Sequence, residues 1–306
     1  MTTVVVAEFI AATALHQLEE RTEVIYDPEL GSDRERLAGT LAEAAALIVR
    51  NQTVVDDALL AGAPSLVTVG RLGAGLDNID VAAVQRRGVV LHTAAGLNAA
   101  TVAEYVIAAA LLLTRRSFGA TQAILDGAWP RRDLVGGEIA GRRIGIVGFG
   151  RAGREVAMRA AGLGMTCVAA DPLLPPDHEG WALAEPVEVA AALASDVVTL
   201  HVPLTAATRH LVDAAAIELM PPGAVLINTS RGAVVDVPAV AAALRSGALG
   251  GAALDVLPEE PPSAEMLRVL DHAPNLVLTP HIAGVTAESN ERISTHIATA
   301  VLREVT

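Results

Sequence analysis

The sequence predicts an α/β protein made of two doubly wound parallel-sheet units. Three observations lead there. Short apolar runs alternate with helix-compatible segments along the chain, one strand–helix joint carries a spaced glycine pattern, and charge and cysteine content remove competing classes. At 306 residues and 52% hydrophobic side chains, the chain can bury two cores.

The first series of strands is expected at Thr3–Ala7, Val24–Tyr26, Ala46–Val49, Leu66–Val69 and Val89–His92. Between them lie helix-compatible segments such as Asp56–Ala61 and Val81–Arg87. Apolar strands of this length separated by helices fit a parallel sheet covered on both faces. A long packing helix is expected from near Asn98 to Arg115. A second series begins at Arg142, with strands at Arg143–Val147, Thr166–Ala170, Val197–His201, Ala224–Asn228, Gly251–Leu254 and Leu276–Thr279. From Val285 onward the tail again reads as helix, and no solenoid repeat or low-complexity linker interrupts the chain.

All 22 basic residues are Arg. Without Lys there is no P-loop, no protein-kinase chemistry, and no Schiff base for pyridoxal enzymes or aldolases. A net charge of −13 argues against nucleic acid as a partner. The single cysteine, Cys167, permits no internal disulfide and no Cys-rich zinc site, and no metal is expected. Residues Met1–Glu8 lack the basic start of a signal peptide, and Tyr105–Leu113 is far short of the ~20 apolar residues a spanning helix needs. A soluble, cytoplasmic protein is therefore expected.

The sharpest motif is Arg143-Ile-Gly-Ile-Val-Gly148-Phe-Gly150-Arg151-Ala152-Gly153, an apolar strand running through G-x-G-x-x-G into a helix. Gly148 allows the tight turn, Gly150 lets a pyrophosphate approach the backbone, and Gly153 lets helix and strand pack closely. The next strand ends at Asp171, which would accept hydrogen bonds from the adenine ribose hydroxyls and repel a 2′-phosphate. No Arg or Lys occurs from Leu173 to Thr208, so NAD is the expected cofactor rather than NADP. The unit is thus expected to be Rossmann-type.

Three later strand ends carry chemistry-bearing residues: Asn228-Thr-Ser-Arg231-Gly, Asp255-Val-Leu-Pro-Glu-Glu260-Pro and Thr279-Pro-His281. An Arg, a carboxylate and a His at successive strand ends suit hydride transfer to a 2-oxo acid. Arg231 would bind the carboxylate and polarise the ketone, His281 would exchange the proton, and Glu260 would hold the ring.

At these residues the chain resembles the D-isomer-specific 2-hydroxyacid dehydrogenase family over nearly its whole length. The matching stretches are Gly73-Ala-Gly75-Leu-Asp-Asn-Ile-Asp80, Asn98-x-x-Thr-Val-Ala-Glu104, the glycine fingerprint, His201-Val-Pro-Leu-Thr205, Asn228-Thr-Ser-Arg-Gly, Asp255-Val-x-x-x-Glu260-Pro and Pro280-His281. The resemblance implies a catalytic trio of Arg231, Glu260 and His281, with Glu259 a bystander. It implies that Asp255 contacts the nicotinamide carboxamide. His201, Val202, Pro203, Thr208, Thr229, Ser230, His281 and Gly284 would line the cofactor beside Gly148, Gly150, Arg151, Ala152, Gly153 and Asp171. It places the substrate at Arg50, Arg71, Leu72, Gly73, Ala74, Gly75, Asn98, Arg231 and His281, the 72–75 loop offering backbone amides to the carboxylate. The implied layout is a discontinuous, flavodoxin-like substrate-binding domain, 1–96 and 285–306, with the NAD-binding Rossmann domain, 97–284, inserted and the active site in a hinged cleft. It also implies a homodimer using the region from Asn98 to Ala140, and no regulatory domain beyond Thr306.

Arg50, Arg71, Arg131 and Arg132 are many for the substrate side of an acidic protein, and they point to a substrate with a second anionic group on C3. The Arg50 segment is similar to one in phosphoglycerate dehydrogenases. The Arg50-Asn-x-Thr and His281–Ser294 stretches look most like sulfolactate dehydrogenases, and a phosphonolactate or 3-phosphoglycerate fits the same charge logic. Alternatives are a glyoxylate or hydroxypyruvate reductase, a phosphite dehydrogenase, and an NAD(H)-sensing corepressor. Formate dehydrogenases of this pattern carry Gln where Glu260 stands.

Overall fold

The computed structural model describes residues 2–306 and divides into two compact units. One contains the residues up to Asn98 together with Val285–Thr306; the other is Ala99–Gly284.

In the first unit the order is β1 (Thr3–Val6), α1 (Ala12–Glu19), β2 (Glu23–Tyr26), α2 (Arg34–Leu41), β3 (Ala46–Val49), α3 (Asp57–Ala61), β4 (Thr68–Arg71), α4 (Val81–Arg86) and β5 (Val90–Thr93). The strands form one parallel sheet in the order β2-β1-β3-β4-β5, a doubly wound topology reversing between β1 and β3. Period-two alternation sends neighbouring side chains to opposite faces. Val5, Leu47 and Val69 pack with Leu37, Leu41, Leu59 and Val84 of α2, α3 and α4. Val4, Val6 and Ile48 pack with Ala14 and Leu18 of α1 and with Ile293, Ile297 and Val301 of the C-terminal helix. Buried on both faces, these strands read as unbroken apolar runs.

The second unit runs α5 (Ala99–Arg115), α6 (Thr121–Leu125), β6 (Arg143–Val147), α7 (Arg151–Gly162), β7 (Thr166–Ala170), β8 (Glu185–Pro186), α8 (Val189–Leu193), β9 (Val197–Leu200), α9 (Ala214–Glu218), β10 (Ala224–Asn228), α10 (Val237–Ser246), β11 (Leu249–Leu254), α11 (Ala264–Leu270) and β12 (Leu276–Leu278). The chain then returns to the first unit as α12 (Ala287–Val305). Its seven strands are parallel in the order β12-β11-β10-β9-β6-β7-β8, so the topology reverses between β6 and β9. Ile144, Ile146 and Ile227 bury against Val106, Ala110 and Leu113 of α5 and Val156 and Ala160 of α7. Val198, Leu200 and Leu226 face Leu193, Ile217, Val240 and Leu244 on the other side.

Most joints that enter a helix from a loop carry a side-chain cap. Asp56, Asp80, Asp213, Asp236 and Ser263 each accept a hydrogen bond from the amide three residues on, and Thr286 forms a reciprocal capping box with Ser289. Each such cap stabilises its helix by about 1 kcal/mol.

Two expected strands start two residues from their expected first residue, and one strand is not expected. The strand expected at Leu66–Val69 lies at Thr68–Arg71, because the Leu66 amide closes a turn onto the Ala63 carbonyl and Thr68 is the first residue to pair, with Ala46. β11 starts at Leu249, two residues before the expected Gly251, because Leu249 already pairs with Ala224 of β10 and Gly250 is passed over in an irregularity before Gly251 pairs with Val225. The two-residue edge strand β8 is not expected from sequence at all. Among the described residues no helix is long and apolar enough to cross a membrane.

Candidate active site

In the larger unit the candidate residues gather at the C-terminal ends of the strands, where an open α/β sheet places its ligand crevice. Gly148 leaves β6 at φ +93°, and a Cβ there would stand 2.5 Å from the His201 carbonyl oxygen. Gly150 differs: a Cβ on it would meet nothing within 4 Å, leaving open space before the first-turn amides of Arg151 and Ala152. Gly153 packs under the turn, its Cβ position 2.4 Å from the Gly148 carbonyl oxygen.

Asp171 follows β7 and holds this turn from the side, Oδ2 accepting from the Phe149 amide at 2.8 Å and Oδ1 from the Leu173 amide at 3.0 Å. Arg154 of α7 reaches the 178–180 turn, 3.4 Å from His178, a cation that a linear scan of 173–208 cannot see. At the end of β9, His201 donates its amide to the Val147 carbonyl, and its Nε2 lies 3.0 Å from Thr199 Oγ1. Burial pushes its ring down to about 4, so it is neutral at pH 7. Val202 packs beside Gly148, and Thr208 Oγ1 closes the next turn by donating to the Pro203 carbonyl at 2.6 Å.

Beyond β10, a fully buried Asn228 folds the segment carrying Thr229, Ser230 and Arg231. Its Oδ1 accepts from the Ser230 amide and hydroxyl, and its Nδ2 donates to the Arg231 carbonyl. Thr229 Oγ1 is buried and makes no hydrogen bond to the described residues. An orphaned buried hydroxyl is costly unless a ligand satisfies it. Together with the open Gly150 and the fixed Asp171, it gives a donor set that fits a dinucleotide.

Glu260 Oε2 lies 2.7 Å from His281 Nδ1, and its Oε1 accepts from the Leu257 amide. Glu259 turns away, accepting from the Ser263 amide. A carboxylate on Nδ1 fixes the proton there and leaves Nε2 for chemistry. Gly232, just after Arg231, permits close approach: a Cβ on it would stand 1.9 Å from the Leu257 carbonyl carbon. The turn bearing Arg231 thereby packs on the segment leading to Glu260.

His281 adopts φ +54°, an uncommon value for a residue with a side chain. Asp255, 2% exposed, holds it there. Oδ1 accepts from Thr279 Oγ1 at 2.6 Å and the Ile282 amide at 2.8 Å; Oδ2 accepts from the Ala283 amide at 2.9 Å. The Asp255 carbonyl takes the His281 amide. Tyr105 of α5 completes the chain, 2.7 Å from Thr279 Oγ1. Because the Thr279 hydroxyl's one proton goes to Asp255, the Tyr105 hydroxyl is the donor. Gly284 closes the unit.

In the smaller unit Arg50 follows β3, Arg71 ends β4, and Asn98 is its last residue before the chain enters α5. The loop 72–75 differs from expectation in detail. The Leu72 amide bonds the Val49 carbonyl and its side chain lies in the core, while the Gly73 amide bonds the Arg71 carbonyl. The Ala74 and Gly75 amides donate to none of the described residues, so the expectation narrows from four amides to two.

Sequence reasoning gave no role to Tyr105, Thr279, Asn228 or Glu8. Only Glu8 had a legible signal: an acid directly after an apolar strand, as Asp171 is.

The family model for the D-isomer specific 2-hydroxyacid dehydrogenase NAD-binding domain matches residues 107–283. Over 296 residues the chain is 48% identical to (S)-sulfolactate dehydrogenase of Chromohalobacter salexigens, covering 96% of this chain and 95% of that one. It is 36% identical over 297 residues to D-3-phosphoglycerate dehydrogenase of Archaeoglobus fulgidus, covering 96% of this chain but only 56% of that protein. The fold superposes on a glyoxylate reductase from Paecilomyes thermophila with a TM-score of 0.86 at 30% identity, covering 99% of this chain and 94% of that one. The chain belongs to the D-isomer specific 2-hydroxyacid dehydrogenase family, and it is an NAD-dependent oxidoreductase of 2-hydroxy acids.

Proposed function

We propose that the enzyme interconverts a small 2-hydroxy acid bearing a second anionic group on C3 and its 2-oxo acid, with a sulfolactate-type compound the leading case. The observation that carries this reading is Arg50. Burial lowers the pKa of its guanidinium, the charge of the buried Glu8 offsets this in part, and no carboxylate stands within salt-bridge distance of it among the described residues. A half-buried cation whose donors meet only one amide oxygen and the face of a ring gains when an anion joins it.

The chemical roles follow from the strand-end residues of the larger unit. His281 Nε2 gives its proton to the oxygen that gains charge during reduction and removes it during oxidation. Glu260 accepts the Nδ1 hydrogen bond throughout, fixing the ring plane and compensating the imidazolium. Arg231 offers a planar fork to the carboxylate and the reacting oxygen. Gly148, Gly150, Gly153, Asp171, His201 and Thr229 are the residues that would hold NAD. When bound, that cofactor supplies or takes the hydride.

In this reading the smaller unit is the substrate-binding domain, and the enzyme works in the cytoplasm as a homodimer. Exposed Leu111, Phe118, Leu125, Trp129 and Val135 in the larger unit support a second copy docking there. Light scattering on the purified protein gives the oligomeric state.

A second reading, a glyoxylate or hydroxypyruvate reductase, is favoured by the likeness to a glyoxylate reductase. One panel separates the two: NADH oxidation with sulfopyruvate, phosphonopyruvate, 3-phosphohydroxypyruvate, hydroxypyruvate and glyoxylate, for wild type and Arg50→Ala. The first reading expects the highest kcat/KM with a C3-anionic substrate and its loss in Arg50→Ala. Equal activity of the two proteins on sulfopyruvate sinks it.

A further inference from the structure

Glu8 and Phe9, just past the end of β1, converge on Arg50 by different routes. Glu8 is 4% exposed, and no cation stands within salt-bridge distance of its carboxylate among the described residues, although its charge acts on the Arg50 guanidinium from farther away. Instead it gathers the loop after β3. Oε1 accepts from the Arg50 amide at 2.8 Å, the Thr53 amide at 3.0 Å and Thr53 Oγ1 at 2.8 Å, and Oε2 accepts from the Gln52 amide at 3.2 Å. Four donors on one carboxylate fold residues 50–53 around it, and they satisfy a charge that burial alone would not tolerate. Asn78 closes the loop from the other side, its Nδ2 donating to the Arg50 and Thr53 carbonyls.

Phe9 acts on the side chain instead. The Arg50 guanidinium carbon lies 5.5 Å from the centre of the Phe9 ring, a cation–π arrangement, and one Nη2 proton goes to Asn290 Oδ1. The remaining guanidinium protons have no acceptor among the described residues. Phe9 is 48% exposed, so ring and guanidinium meet at the surface of the unit. The backbone of Arg50 is therefore fixed by a carboxylate, its guanidinium is steered by a ring and an amide, and its donors stay available to a small anion.

We propose that the dipeptide Glu8-Phe9 is the positioning element that sets selectivity for a C3-anionic 2-oxo acid, Glu8 by folding the Arg50 loop and Phe9 by holding the guanidinium. This rests on the reading that Arg50 receives the substrate's second anion. Glu8 and Phe9 are positioning residues; neither takes part in bond making. A Gln at position 8 keeps the shape but offers one acceptor oxygen, so either the Gln52 amide or the Arg50 and Thr53 donors face an NH2 group.

The test is the ratio of kcat/KM for sulfopyruvate to that for glyoxylate, measured on the full chain with saturating NADH. Expected are a roughly tenfold fall in that ratio for Glu8→Gln and a roughly threefold fall for Phe9→Leu, with Phe9→Tyr, which keeps the π face, within about twofold of wild type. The change should lie in KM for sulfopyruvate. Should Glu8→Gln not fold, Thr53→Val removes one of the four bonds at constant shape, and Thr53→Ser restores it; the ratio should fall in the first and recover in the second. If Arg50→Ala collapses the ratio while Glu8→Gln (or Thr53→Val) and Phe9→Leu keep it at wild type, the role given to the dipeptide is wrong and the substrate reading stands. If Arg50→Ala itself leaves the ratio unchanged, the substrate reading fails and takes this inference with it.

Discussion

Replacing Asp255 with Asn removes a charge at almost constant volume and asks how the His281 turn is held. The carboxylate takes Thr279 Oγ1 and the Ile282 amide on Oδ1 and the Ala283 amide on Oδ2, all within 2.9 Å. An amide can set its oxygen on one of these sides only. With the oxygen toward Thr279 and Ile282, its NH2 faces the Ala283 N–H, and two buried donors are left opposed. A hydrogen bond to a charged acceptor contributes about 1.5–3 kcal/mol, and a buried donor left unsatisfied costs roughly 1–3 kcal/mol more. The sum, about 2.5–6 kcal/mol, would lower the melting temperature of a unit this size by roughly 5–24 °C. The same loss frees His281 from its positive-φ conformation, so kcat should fall at least about tenfold, equivalent to ~1.4 kcal/mol of misplaced acid. Differential scanning calorimetry reads the first quantity and NADH oxidation the second. An Asp255→Asn variant that melts within about 2 °C of wild type, with kcat within about twofold, would refute the claim that these bonds hold the turn.

Three further outcomes are expected. Glu260→Gln keeps the contact with His281 Nδ1 but loses the charge; because the pair is 41% and 36% exposed, screening limits the effect to roughly tenfold in kcat, with NADH affinity by fluorescence titration unchanged. His201 is held neutral, its pKa lowered from 6.5 to about 4, so between those values the unfolded chain binds the extra proton. Stability present at pH 7 is then lost as pH falls through that window, by up to about 3 kcal/mol, and urea midpoints at pH 7 and pH 4.5 should differ less for His201→Gln than for wild type. The enzyme should use NADH with higher kcat/KM than NADPH, and Asp171→Ser should narrow that preference; an unchanged ratio would mean that Asp171 does not read the ribose.

The strand-end chemistry was legible because α/β folds put it at predictable joints. Asn228–Arg231, Asp255–Glu260 and Thr279–His281 each follow an apolar run, and the fold brings those runs side by side. Choosing Glu260 over Glu259 needed the family resemblance, since both follow the same strand and only the fold shows which carboxylate meets the imidazole. What stayed hidden are bonds between distant positions with no periodic signature. The Tyr105–Thr279 contact spans 174 positions, and the Glu8–Thr53 contact spans 45. Strand register failed at β4 for a related reason: Leu66 is apolar enough for a strand, but its buried side chain belongs to a turn, and only pairing with Ala46 reveals the shift. The loop at 72–75 shows the same limit, because a sequence cannot say which of four amides are already engaged.

The helix α12 gives the smaller unit an unusual history during synthesis. Val4, Val6 and Ile48 bury against Ile293, Ile297 and Val301, which the ribosome delivers after the entire larger unit. At roughly 5–20 residues per second, the first half of that core waits on the order of 10–40 s for its other half. During that interval an apolar face of a nearly finished sheet stays wet, open to chaperones and to other nascent chains. The larger unit, contiguous from Ala99 to Gly284, has no such delay and can be folded before the smaller one is complete. The order of maturation is therefore inside out: the NAD-binding unit first, and the unit that begins the chain last.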